Sequence, residues 1–291
     1  MKDIYKISHN QENDNRPIYF HSHDFYEIYF FVEGNVTYYI ENESYTLSKG
    51  DILIIPPRKI HRPVIETADQ PYDRYVLWIY DTNLAPDSGI LRFLQELDRL
   101  TGKKNTRRVS FTGAPFHALT SLFDQLLSCF FSTQELSVYT AESCMIFILD
   151  ELMHSLRESS PATEDSGDLI RQVIAYINRN LIDAPSLDEL SSRFFVSKYY
   201  LSHKFKEHTK TTIHQYILMK KINLAKDYLE QGDSPQNVCE KCGFSTYSNF
   251  YKTFTRQTGR SPGNYRLSYS VRFQTDPSSV PSSAPAQSVP D

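Results

Sequence analysis

Two periods of apolar residues divide this chain of 291 residues. Between residues 18 and 80 β-branched and aromatic side chains dominate, and the breaks fall at Gly34, Asn42 and Gly50. That pattern predicts strands at 18–22, 26–32, 36–41, 44–47, 52–56 and 74–80, with hairpin turns at Glu33-Gly34-Asn35 and Glu41-Asn42-Glu43. Several short antiparallel strands in so small a span predict a small barrel or jelly roll. The period then lengthens to that of a helix. Segments 89–100, 115–131 and 135–157 repeat apolar positions three and four apart, as in Leu119, Leu122, Phe123 and Leu126 or Met145, Ile146, Leu149 and Leu152. The last two segments predict an antiparallel helical pair. A basic run from Lys103 to Arg108 reads as a solvated loop before a short strand at 109–111.

A helix at 168–181 precedes a pattern that occurs twice, and a long helix at 213–231 connects the two copies. SLDELSSRFFVSKYYLSHKFKEHTKTTIHQYI starts at Ser186, and SPQNVCEKCGFSTYSNFYKTFTRQTGRSPGNYR starts at Ser234. Overlaid, Leu190 meets Cys239, Phe195 meets Gly243, Leu201 meets Phe250, Phe205 meets Phe254 and Tyr216 meets Tyr265. Each copy reads as a short helix, a turn and a second amphipathic helix, the outline of a helix-turn-helix. Ser186 and Ser234 stand where the first helices need caps, and Ser197 and Ser245 where the second helices do. Gly243 stands where a tight turn wants positive φ. Leu201 with Phe205, and Phe250 with Phe254, are four apart and share a core-facing side. The opposite faces carry Lys198, Tyr199, His203 and Lys206 in the first copy, and Thr246, Ser248, Asn249, Lys252 and Arg256 in the second. Such side chains bond phosphates and base edges in a major groove.

Charge sharpens this picture. Residues 168–272 carry 16 Lys/Arg against 9 Asp/Glu, whereas residues 1–167 carry 15 against 24. A basic segment beside an acidic one is the asymmetry expected of a DNA-binding module joined to a second domain. An apolar content of 40% suffices for two cores. No run of about 18 apolar residues occurs, so no membrane span is expected. The polar N-terminus lacks an apolar signal core, so a cytoplasmic location is expected. Four cysteines suit a reducing compartment. Cys239 and Cys242 form a CxxC without a second pair or a histidine partner at zinc-finger spacing, and read as structural.

The C-terminal pattern resembles the DNA-binding domain of AraC/XylS-type transcription regulators over about 100 residues. Cys242-Gly243-Phe244, Phe250, Phe254, Gly259, Ser261-Pro262 and Tyr265-Arg266 carry the resemblance. The chain departs from it at Ser191, where alanine is usual, and at Phe195, where a turn glycine is usual. It also departs at Lys221, where arginine is usual, and at Thr255, where lysine is usual. The N-terminal pattern resembles the cupins. His21, His23, Glu27 and Gly34 match the first cupin motif, and Gly50, Pro56 and His61 match the second, with departures at Arg58 (usually glycine) and Ile65 (usually asparagine). An unbroken strand would aim His21, His23 and Glu27 at one side. In metal-binding cupins such a set holds a divalent ion, which makes His21, His23, Glu27 and His61 a metal-ligand alternative. The resemblance to AraC-type sensors instead implies a metal-free wall for a small molecule.

The reading is an α+β multidomain chain: an N-terminal cupin-like β-barrel with a helical pair and a C-terminal all-α tandem helix-turn-helix domain. Residues 1–158 form the sensing and dimerisation domain, 159–167 the linker, 168–272 the DNA-binding domain and 273–291 a disordered tail. The function expected is that of a non-enzymatic, sequence-specific regulator of transcription. Its partners are double-stranded DNA, a second copy of the chain, and RNA polymerase if it is an activator. The effector expected is a sugar or related metabolite held by His21, His23, Glu27, Arg58, His61 and Trp78, with no cofactor. The alternative is a metal-dependent cupin enzyme or metal sensor fused to a DNA-binding domain.

Overall fold

In the computed structural model, residues 4–11, 19–66, 71–100, 106–134, 136–158 and 169–273 are described. They form two compact units. The expected linker 159–167, the tail beyond Phe273 and part of the basic run (103–105) lie outside the described residues.

The N-terminal unit is built on two antiparallel sheets. Five strands run in the order β1 (Tyr5–Asn10), β7 (Asp73–Ile79), β2 (Tyr26–Glu33), β5 (Asp51–Ile55) and β8 (Arg107–Ser110). Three more run β4 (Glu43–Thr46), β3 (Val36–Ile40), β6 (His61–Ile65). Strands β2 and β5 are apolar on both faces, so the larger sheet must be covered twice. Alternation along β2 divides the work. Tyr29 and Phe31 face the smaller sheet with Val36, Tyr38, Ile40, Leu53 and Ile55. Ile28 and Phe30 face the other way with Ile52, Ile54 and Leu77, against α1 (Gly89–Leu100), α2 (Gly113–Phe131) and α3 (Ser137–Glu158). The helical pair therefore covers the back of the larger sheet.

Three expectations change here. The barrel is not closed: among the described residues no strand of one sheet is paired with a strand of the other, and His21 adds only an isolated bridge to His61 of β6. The expected strand at 18–22 reduces to that bridge in its described part. Strands β1 and β6 were not foreseen, because β1 is a polar edge strand (YKISHN) and β6 contains Pro63. Ladder pairing with β7 and β3, rather than local pattern, makes them strands.

From Leu169 the chain is helical, although residues 169–175 and 203–211 group with the first unit: α4 (Leu169–Arg179), α5 (Leu187–Arg193), α6 (Lys198–Thr209), α7 (Ile213–Glu230), α8 (Pro235–Lys241), α9 (Tyr247–Thr258) and α10 (Pro262–Phe273). Ser186 caps α5 in a reciprocal capping box with Glu189, and Ser234 caps α8. Ser197 accepts from the Tyr200 N–H at the start of α6. The cap of α9 is Thr246, not Ser245. The cause is one extra residue in the second turn. Up to the turn the copies differ by 48 positions, which sets Leu190 opposite Val238 rather than Cys239; after it they differ by 49. Phe195 and Gly243 are the equivalent left-handed turn residues, at φ 54° and 64°. Ile222, Ala225, Leu229, Val238, Phe250, Phe254 and Tyr265 form the second core together with Cys239 and Cys242. Both cysteines are free and buried, and burial pushes the Cys242 thiol up to about 12. They are structural, as expected.

Two glycines test the N-terminal turns. Gly50 has φ 89°, and a Cβ there would lie 1.9 Å from the Phe111 carbonyl oxygen. Gly113 has φ 60° with open space around it. Gly50→Ala should destabilise the protein by more than about 2 kcal/mol and Gly113→Ala by only about 1 kcal/mol, read from urea midpoints. Equal losses would refute the backbone contact at Gly50.

Candidate functional site

The chain crosses from the smaller sheet to the larger one between His21 and Tyr26, and this crossing carries a polar cluster. Backbone bonds in both directions pair His21 with His61 of β6, at 3.1 and 2.9 Å. The Arg58 N–H then donates to the His23 carbonyl at 2.7 Å, which holds the crossing against the loop between β5 and β6. Arg58 takes a left-handed φ of 67°, the conformation that explains why glycine is usual there. Its guanidinium, largely buried, pairs with Asp24 at 3.1 Å.

Glu27 on β2 is the centre of the cluster, buried at 5% exposure. Its Oε1 accepts from the Tyr38 hydroxyl of β3 at 3.0 Å. Its Oε2 accepts from the indole N–H of Trp78 at 2.9 Å, on the residue directly opposite in β7. The same oxygen lies 3.1 Å from Nε2 of His23 and 4.0 Å from Nε2 of His61. Burial opposes ionisation, but the bonds from His23 and Trp78 outweigh it and hold the carboxyl down at about 2. Burial also holds the His61 imidazole down at about 3.

The tautomers follow from the backbone. Nδ1 of His21 lies 3.0 Å from the Tyr19 carbonyl, Nδ1 of His23 lies 3.0 Å from that of Phe25, and Nδ1 of His61 lies 2.8 Å from that of Lys59. A carbonyl oxygen only accepts, so each Nδ1 carries the hydrogen. Nε2 of neutral His61 is then a bare acceptor, and it is buried without a hydrogen-bond partner. Nε2 of His23 meets Glu27 favourably only as the N–H of an imidazolium or as a lone pair shared with a cation.

The expected ligand wall is thus partly assembled. His23, Glu27, His61 and Trp78 converge, His21 sits exposed with its ring 4.4 Å from that of His61, and Arg58 is paired with Asp24. Strand parity does not cause the convergence, because residues 22–25 are not in a strand. Tyr38 was missed: its signal, an aromatic in the strand after Gly34, is shared with many core residues. His9 on β1 is half-buried, stacked on Tyr75 and 2.7 Å from Asp73.

On the helical unit the nine residues expected to meet DNA are all exposed: Lys198, Tyr199, His203, Lys206, Thr246, Ser248, Asn249, Lys252 and Arg256. Lys198 is ion-paired with Asp188. The Thr246 hydroxyl is engaged as the cap, accepting from the Asn249 N–H at 3.3 Å, and Asn249 Oδ1 accepts from Thr253 at 3.4 Å.

Comparison with known proteins places both halves. Residues 2–143 match the AraC-like ligand binding domain, and residues 190–268 match a helix-turn-helix domain family. The chain belongs to the AraC family of transcription regulators. Its two matched segments are thus a ligand-binding domain and a helix-turn-helix domain. Among its relatives is the HTH-type transcriptional activator RhaS of Escherichia fergusonii, 27% identical over 87% of this chain and 89% of that one. Another is the uncharacterized HTH-type regulator SACOL0084 of Staphylococcus aureus, 26% identical over 81% of this chain. The match spans only 31% of that relative's length. Among solved structures, ToxT of Vibrio cholerae aligns with 91% of this chain and 98% of its own at 12% identity and a TM-score of 0.38. Among the described residues no helix is long and apolar enough to cross a membrane.

The protonation pattern sets a pH dependence for this AraC-family protein. Unfolded His61 takes up a proton near pH 6.5, whereas the folded residue does so only near 3. Unfolded Glu27 is protonated near 4.5 and folded Glu27 near 2. Both make the unfolded state bind more protons, so stability falls as pH drops through 6.5 and again through 4.5. Chelator-treated protein should have a lower urea midpoint at pH 5 than at pH 7, and His61→Gln should flatten that difference. An unchanged difference would remove His61 as the cause.

Proposed function

We propose that this regulator is controlled by a small polar effector, a sugar or related metabolite, bound at the His21, His23, Glu27, His61 and Trp78 cluster. The observation that carries the reading is the bare, buried Nε2 of His61. An unmet acceptor in an apolar interior is costly, and a ligand hydroxyl would satisfy it. Trp78 shares the Glu27 carboxylate with this cluster, and exposed His21 offers a further ring nitrogen at the rim. Control of DNA binding requires that the effector bind more tightly to one arrangement of the chain than to another. A homodimer and a cytoplasmic location are part of the same reading. Support for the dimer comes from Phe131, Tyr139 and Phe147, large apolar residues left exposed on α2 and α3.

A second reading, a metal-responsive regulator, rests on the same atoms. The ligand atoms of His23, Glu27 and His61 lie within 4.8 Å of one another. All three histidine rings are held by Nδ1–H bonds to carbonyls, as metal-bound imidazoles commonly are, which leaves Nε2 as the donor. The residues therefore fit a first-row divalent ion, with His21 as a further candidate ligand. Such an ion would supply a positive charge for the Glu27 carboxylate and a partner for the bare Nε2 of His61.

Trp78 is the single tryptophan and reports on the cluster directly. With metal-free protein, one member of a sugar panel should raise the thermal midpoint and shift Trp78 emission, and Glu27→Ala should abolish both. Stoichiometric metal after purification, lost in His23→Ala, would select the second reading instead. A response undiminished in Glu27→Ala would place the effector elsewhere.

On DNA, Arg256 and Lys206 are proposed phosphate contacts and Asn249 a base reader of adenine. Arg256→Ala should weaken binding to all sequences alike and lower the salt slope by about 1. Asn249→Ala should cost about 1–3 kcal/mol of discrimination at one base position, measured with single-base operator variants. Preference unchanged at every position would remove Asn249 as a reader.

A further inference from the structure

The two helix-turn-helix motifs are joined by the connecting helix α7. Between them lies a cleft of about 450 Å³, lined by Ser186 and Leu187 at the start of α5, Ile213 and Ile217 of α7, and Phe244 and Asn249 of the second motif. Lys221, midway along the connecting helix α7, also lines this cleft, although only 4% of it is exposed. Its ammonium donates to the Ile182 carbonyl at 3.1 Å and to the Gly243 carbonyl at 2.6 Å. Ile182 lies in the loop that leads into the first motif, and Gly243 is the turn of the second. One cation therefore ties three segments: the approach to α5, the middle of α7, and the turn that launches α9.

The contact is close on all sides. A Cβ on Gly243 would lie 2.1 Å from the Ile182 carbonyl oxygen and 3.0 Å from the Lys221 nitrogen. The glycine is thus required by this approach as well as by its φ of 64°. The equivalent turn residue of the first motif is Phe195, 95% exposed. The two turns share a backbone shape, but only the second abuts the other motif's lead-in.

We infer that Lys221 is a positioning residue that sets the spacing of the two motifs on DNA, by clamping the α8–α9 turn to the loop before α5. Two motifs reading successive major grooves must be held about one helical turn apart. A clamp bridging a cleft bears on that distance, whereas core residues within one motif do not. A long, flexible cation suits the task because its several N–H groups can serve carbonyls on separate segments.

The test uses the full chain and a duplex that it selects from a random-sequence library. Binding is measured to that duplex and to versions with one or two base pairs inserted or deleted between the two contacted elements. The parent should prefer its selected spacing by tenfold or more. Lys221→Met should bring that ratio close to one, whereas Lys221→Arg, which still offers several donors, should keep it. Gly243→Ala, which pushes the same surfaces apart while leaving the lysine, should lose it as Lys221→Met does. A ratio preserved in both Lys221→Met and Gly243→Ala, even with weaker binding to every duplex, would overturn the proposal. If Lys221→Met does not fold, Lys221→Gln decides on the same criterion.

Discussion

A carboxylate buried between two apolar sheets dictates the arrangement of the N-terminal unit. Glu27 is ionised, and an ion in that setting is tolerated only if donors surround it. The donors come from three places in the chain: Tyr38 on β3, Trp78 on β7 and His23 on the crossing segment. Meeting that need brings one end of the two sheets together, although they are not hydrogen-bonded into a closed barrel. The His21–His61 bridge and the Arg58–His23 backbone bond hold the crossing in place. The polar cluster is therefore both a device that joins the sheets and the most reactive part of the unit. Its unmet atom, Nε2 of His61, is where these two roles separate.

The helical unit follows a different logic. Its helices are delimited by local signals, in the capping serines and threonines at Ser186, Thr212, Ser234 and Thr246 and the left-handed turn residues Phe195, Gly243 and Gly259. Each motif can define itself from such signals and its own core. What they do not define is the distance between motifs. In the arrangement proposed, that depends on α7 and on a polar contact across a cleft, where a charged group meets two carbonyls from separate segments. Reading DNA thus depends on tertiary geometry in a way that forming each motif does not.

Exposed polar residues on α6 and α9 and a buried polar cluster are what the proposed ligand-controlled regulator needs, each for its own physical reason. In that proposal the side chains of α6 and α9 remain hydrated until DNA displaces the water. The cluster must be dry enough that one unmet acceptor is worth satisfying. The acidic balance of the first half and the basic balance of the second match this division.

By itself the sequence determined most of the helices and their ends, because periodicity and caps act within a few residues. The connecting helix was expected at 213–231 and is found at 213–230. It also showed that His23, Glu27 and His61 belong together, through their match to a known pattern. It did not determine the edge strands β1 and β6, whose partners lie far along the chain, nor the open form of the sheets. The extra residue in the second turn escaped notice because Ser245 and Thr246 are equally able caps, and only packing of α9 selects between them. The orientation of the imidazoles was equally out of reach. Which nitrogen faces Glu27 is decided by three backbone carbonyls, and carbonyl directions exist only once the chain has folded.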